Sequence, residues 1–116
     1  MRNLPISEGA FTVLCVFECS PGESERLARQ IAESIESRMR FHAGFLSSMI
    51  CLSEDGGRIV EFFQWARGED WEAFRASEDG RLAAAQLAGR SPRTEFLEMI
   101  RAVGAPPPGD AAGPAA

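Results

Sequence analysis

The junction at residues 19–24 constrains the fold more than any other stretch. Residues 10–19, AFTVLCVFEC, are rich in β-branched and aromatic types, and too short and uniformly apolar for an amphipathic helix, so they read as a strand. The chain then enters Ser20-Pro21-Gly22-Glu23, which offers an N-cap serine, a proline at the first helical position and a glutamate three residues after the cap. A strand must hand over to a helix here. Leu27, Ile31, Ile35 and Met39 recur every four residues while Glu25, Arg29, Glu33 and Glu36 fall elsewhere, so the helix packs by one apolar stripe and runs to about Arg40.

Beyond that helix, Ala43-Gly44 precedes a second β-type run, FLSSMICLS, and Glu54-Asp55-Gly56-Gly57 is a turn signal ahead of a third, RIVEFFQWA. These two strands should form a hairpin. A helical stretch opens at Gly68-Glu69-Asp70, carries Trp71 and Phe74 one turn apart and reaches about Ser77, where Glu78-Asp79-Gly80 is expected to break it. Arg81 to Ala88 reads as a short helix by its alanine content. RTEFLEMIRAV, from Arg93, alternates as a fourth strand, with a helix as the alternative reading.

The order β-α-β-β-α-β is the α+β, ferredoxin-like plan: a four-stranded antiparallel sheet with its helices on one face. In the third strand Ile59, Phe63 and Trp65 share one face and Val60 and Phe62 the other, so both faces are apolar. A second copy of the chain, forming a homodimer, is the economical cover for the open face. Residues 1–9 read as an N-terminal arm, 10–103 as the domain, and the core-free GAPPPGDAAGPAA of 104–116 as a disordered tail.

Composition removes whole function classes. With 116 residues the chain holds one domain and one core. All 12 basic residues are Arg and there is no Tyr, so neither a catalytic lysine nor a catalytic tyrosine exists. The net charge of -5, with Arg scattered among acids, disfavours nucleic acid, and no apolar run suits a membrane span. Cys15, Cys19 and Cys51 leave an odd thiol, and Cys15 and Cys19 would stand about 13 Å apart along one strand, too far to bridge. Reduced thiols and an N-terminus without a signal-peptide core point to the cytoplasm. One His, no Cys-x-x-Cys, no phosphate loop and no G-x-S-x-G elbow give no support to a metal site, a nucleotide cofactor or serine hydrolysis.

GFLSS at 44–48, DGGRIVEFFQW at 55–65 and EDWEAFRAS at 69–77 carry a resemblance. A Gly-Phe opening the second strand, a Trp ending the third and an aromatic-bearing helix straight after are similar to the antibiotic biosynthesis monooxygenase family of the dimeric α+β barrel superfamily. The likeness spans about residues 10–103. It implies a small homodimer that oxidises an aromatic phenol or anthrone to a quinone with O2, using no flavin, haem or metal as cofactor. A polyketide cyclase of the same fold, working by proton transfer without O2, is the alternative; a non-catalytic dimeric binding protein is another. Haem-degrading members carry a His about ten residues after the Trp, where this chain has Arg75, so no haem binding is expected.

Cofactor-free oxidation needs a dry aromatic pocket, a base and donors for the developing oxyanion. The resemblance places that pocket between sheet and helices. Trp65 matches the strand-ending Trp, as pocket wall and indole donor or as a core or interface aromatic. Glu61, four residues earlier on the same face, stands where quinone-forming relatives carry a polar residue such as Asn; among Ile59, Phe63 and Trp65 its pKa would rise as a general base requires, unless it pairs with an Arg or faces water. Trp71 occupies the position of a relative's Tyr and can stack but not relay protons. His42, before the second strand, is a candidate base or substrate contact, although a lone loop His is more often solvated. Phe45, Phe63 and Phe74 are candidate pocket-lining aromatics. Cys51 is a candidate lining residue or an inert thiol. Arg67, Arg75 and Arg81 are candidate contacts for an acidic or phenolic substrate.

Overall fold

A computed structural model describes residues 8–87 and 89–109. Strand β1 (Phe11–Glu18) ends at the Ser20 junction, and helix α1 (Pro21–Ser37) begins one residue later. Glu23 Oε1 accepts from the Ser20 backbone N–H at 3.4 Å, the half of the capping arrangement that satisfies the strand end. Leu27, Ala28 and Ile31 bury the stripe of α1 against Phe17 and Ile59, and Met39 continues it in a single 3-10 turn, Met39–Phe41.

Strands β2 (Phe45–Leu52) and β3 (Arg58–Trp65) form the expected antiparallel hairpin. The Asp55 carboxylate accepts from the Gly57 N–H at 2.8 Å and the Ser53 hydroxyl at 2.7 Å, which holds the turn and keeps that carboxyl below its ordinary pKa. Strand β4 (Arg93–Glu98) closes an antiparallel sheet of order β2-β3-β1-β4. It is shorter than the alternating segment from Arg93 suggests. The antiparallel ferredoxin-like plan is therefore observed.

Gly44 immediately precedes β2 with φ +84°, and a Cβ there would meet the Asp70 carboxyl at 2.1 Å. A glycine is required where the loop passes under the next helix. Helices α2 (Gly68–Ala76) and α3 (Glu78–Gln86) follow β3. The break falls at Ser77, whose backbone is extended between the two helices, and Glu78-Asp79-Gly80 forms the first turn of α3. Ser77 caps that turn, its Oγ accepting from the Gly80 N–H at 3.1 Å. Gly80 belongs there because α3 starts so close to the end of α2 that a Cβ would lie 2.1 Å from the Phe74 carbonyl oxygen. Gly80→Ala should therefore lower stability by roughly 1–3 kcal/mol through forced backbone movement, measurable as a lower denaturation midpoint.

The arm and the tail fall largely outside the description. Residues 1–7, 88 and 110–116 are not among the described residues, while Gly9 donates to the Met99 carbonyl at 2.7 Å and residues 104–109 are exposed, without helix or strand. No helix among the described residues is long and apolar enough to cross a membrane.

Candidate active site

Period-two alternation sends Val13 and Cys15 of β1, Glu61 and Phe63 of β3, and Thr94 and Phe96 of β4 to the helix-covered face. The pairing register brings three of them into one row, with Cys15 opposite both Glu61 and Thr94. Above this row, α1, α2 and α3 leave a cavity of about 460 Å³. Ile35, Met39, Phe63, Trp71 and Phe74 form apolar wall, and Glu61, Cys15 and Thr94 the polar part of its floor.

Glu61 is 8% exposed. Among the described residues its carboxyl has no hydrogen-bond or ion-pair partner. Burial alone pushes its pKa up from 4.5 to about 7, because an apolar surround disfavours the carboxylate. A carboxyl that titrates near neutrality inside a cavity is a competent general base. Cys15 is held in its thiol form: burial raises its pKa, the Thr94 hydrogen bond opposes this, Glu61 raises it further and Arg75 lowers it. Its Sγ lies 3.6 Å from Thr94 Oγ1. Cys15 and Thr94 are additions to the residues singled out in the sequence, and the parity of Val13, Cys15 and Phe17 was the signal for the first of them.

Phe63, Trp71, Phe74, Arg75 and Arg81 all line the cavity together with Glu61. Trp71 stacks on Phe63 with centroids 5.8 Å apart and lies 6.3 Å from Phe74, so one aromatic wall is continuous. Its indole N–H is buried without a partner among the described residues.

Trp65 is a core residue, the second of its two expected roles. It is fully buried, with Phe45 edge-on at 5.4 Å and Phe74 at 5.7 Å, and it does not line the cavity. Helix α2 begins three residues after it, and Trp71 and Phe74 fold back over its ring. Phe45 shares that fate as a packing partner of Trp65 outside the lining. Its pairing with Trp65 is followed by a bulge between Phe45 and Ser47, which inverts the alternation of β2. Cys51 consequently pairs with Val60 on the opposite face and is exposed, so it does not reach the cavity.

His42 also stands outside the lining. Its Nε2 lies 2.8 Å from Asp79 Oδ2 in the first turn of α3, and its ring meets Phe74 edge-on at 4.9 Å, so it ties the loop before β2 to two helices. Arg67 pairs with Asp70 at 3.3 Å away from the cavity. Among the described residues no group of three or more His, Cys, Asp or Glu side chains is arranged to hold a metal ion.

No protein-family model matches the chain. Tetracenomycin-F1 monooxygenase of Streptomyces glaucescens is 31% identical to it over 111 residues, covering 93% of this chain and 97% of that protein. Among solved structures, the monooxygenase from ActVA-Orf6 of Streptomyces coelicolor, in complex with Nanaomycin D, superposes with TM-score 0.70 at 20% identity, over 81% of this chain and 90% of that one. SnoaB, a cofactor-independent oxygenase from Streptomyces nogalater, gives TM-score 0.65 at 14% identity, over 82% and 97%. At those identities the two structures support the fold.

Proposed function

The chain belongs to the antibiotic biosynthesis monooxygenase family, and we propose that it oxidises a polycyclic aromatic phenol or anthrone to a quinone with O2, drawing the electrons from the substrate and needing no flavin, haem or metal. The observation that carries this reading is Glu61, an unpaired buried carboxyl on the floor of an aromatic-walled cavity, with its pKa near 7. An apolar wall suits a fused-ring substrate, and the names of the similar proteins point the same way.

In this reading the Glu61 carboxylate takes a proton from the substrate and leaves an electron-rich enolate or phenolate. The enolate transfers an electron to O2 and the two radicals join through a carbon–oxygen bond. Breaking the oxygen–oxygen bond with loss of water, the proton returning from Glu61, leaves the quinone. For an anthrone the sum is anthrone plus O2 giving anthraquinone plus water. The substrate loses four electrons and dioxygen accepts them. Supplied with an anthrone, the purified protein should consume one O2 per quinone formed, without accumulating peroxide. No oxygen uptake with an anthrone, beside ring closure of an uncyclised polyketide that proceeds equally well under argon, would replace this reading with proton-transfer cyclisation.

The reading includes a homodimer. The register sets Leu14, Val16, Met49, Val60, Phe62 and Leu97 together on the sheet face away from the helices. Met49 and Leu97 are 41% and 42% exposed, an apolar surface that a second copy would cover. Phe62→Arg should convert a dimer to a monomer in light scattering while leaving the circular dichroism unchanged. An unaltered mass for that variant, or a monomeric parent, rejects this face as the interface.

A further inference from the structure

This inference rests on the proposed oxidation of an aromatic substrate and concerns what else that substrate carries. The chain has a net charge of -5, yet the cavity lining includes Arg75, Arg81 and Arg90 against one acid, Glu61. Two of these guanidinium groups are engaged elsewhere. Arg81 Nη1 donates to the Ala76 carbonyl at 2.9 Å, and Arg90 donates to the Leu87 carbonyl and pairs with Glu23. Arg75 is different. Its guanidinium carbon sits 5.9 Å from the centroid of the Trp71 ring, which holds it against the aromatic wall. Among the described residues its one ion pair, to Glu72 at 3.3 Å, joins side chains 58% and 64% exposed and offers little competition for a better anion.

Arg75 and Glu61 also act on the same part of the cavity, since both bear on the Cys15 thiol with opposite sign. An anionic substituent would be repelled by an ionised Glu61 and attracted to Arg75. It would settle at the Arg75 end and leave the reacting carbon or hydroxyl toward the floor. We propose that the cavity selects aromatic substrates bearing an anionic substituent, of which a carboxylate is the simplest, and that Arg75 is the residue that selects them. A planar guanidinium already packed on Trp71 can meet a carboxylate through two N–H groups, beside apolar walls that strengthen the attraction.

Calorimetric titration with anthracene-2-carboxylate and anthracene-2-carboxamide tests this, because the probes share their rings and differ in charge. The carboxylate should bind about tenfold more tightly at low salt, with the advantage shrinking as salt rises. Arg75→Leu should erase the difference without weakening the carboxamide, and Arg75→Lys should retain part of it. Arg67→Gln, outside the cavity, should leave it intact. Equal binding by the parent protein, or an advantage that survives Arg75→Leu, overturns the proposal while the oxidation reading stands. Failure of both probes to bind would remove both.

Discussion

Glu61→Gln should reduce turnover of an anthrone by about 10²- to 10⁴-fold, the usual contribution of a positioned general base, while the protein remains folded. Glutamine keeps the size and polarity of the neutral carboxyl but cannot accept the substrate's proton. The variant separates chemistry from stability because Glu61 forms no ion pair or hydrogen bond among the described residues whose loss would disturb the sheet. Substrate binding should change little. A residual rate within a few-fold of the parent would show that the proton goes elsewhere.

The same substitution has a thermodynamic signature. Burial raises the folded-state pKa of Glu61 from 4.5 to about 7, so the folded protein binds this proton more tightly than the unfolded chain. Stability from this group is therefore full below pH 4.5 and falls as pH rises toward 7. At about 1.4 kcal/mol for each tenfold change in proton affinity, the difference amounts to about 3 kcal/mol. Chemical denaturation across that window should show the decline in the parent and its absence in Glu61→Gln.

The largest loss of stability is expected from Trp65→Ala, about 3–5 kcal/mol, which corresponds to a fall in Tm of roughly 10–20 °C. Trp65 is fully buried where β3, Phe45 and α2 meet, and truncation would leave a cavity that Phe45, Trp71 and Phe74 cannot fill without leaving their rotamers. Trp65→Phe keeps most of that volume. Because Trp65 does not line the cavity, the Phe variant should cost some stability and keep turnover within a few-fold of the parent. A selective loss of turnover in a well-folded Trp65→Phe protein would instead restore this indole to the site.

What could be read from the sequence was decided by short-range chemistry. The cap at Ser20 and Glu23, the turn at Asp55 to Gly57 and the fourfold spacing of Leu27, Ile31 and Ile35 each act within a few residues, and each appears as expected. Glu61 could be assigned to the face of Ile59, Phe63 and Trp65 by alternation alone. What covers that face could not. Whether Trp65 lines a cavity or lies under α2 depends on the route of residues 66–71, and whether Cys51 faces in depends on one bulge between Phe45 and Ser47. Cys15 and Thr94 come beside Glu61 only through the register of β1 with β3 and β4, which joins residues far apart in sequence. The cap at Ser77 was legible in principle, but Gly80 looks like a helix breaker until the closeness of the Phe74 carbonyl is known.

The pH dependence of kcat/KM for oxygen uptake, compared between the parent and Glu61→Gln, bears most directly on the role given to Glu61. A base with pKa near 7 should give the parent a rate that rises through neutrality to a plateau, and that limb should vanish in Glu61→Gln. A parent profile flat from pH 5 to 9, or a limb near pH 7 that persists in Glu61→Gln, would contradict it.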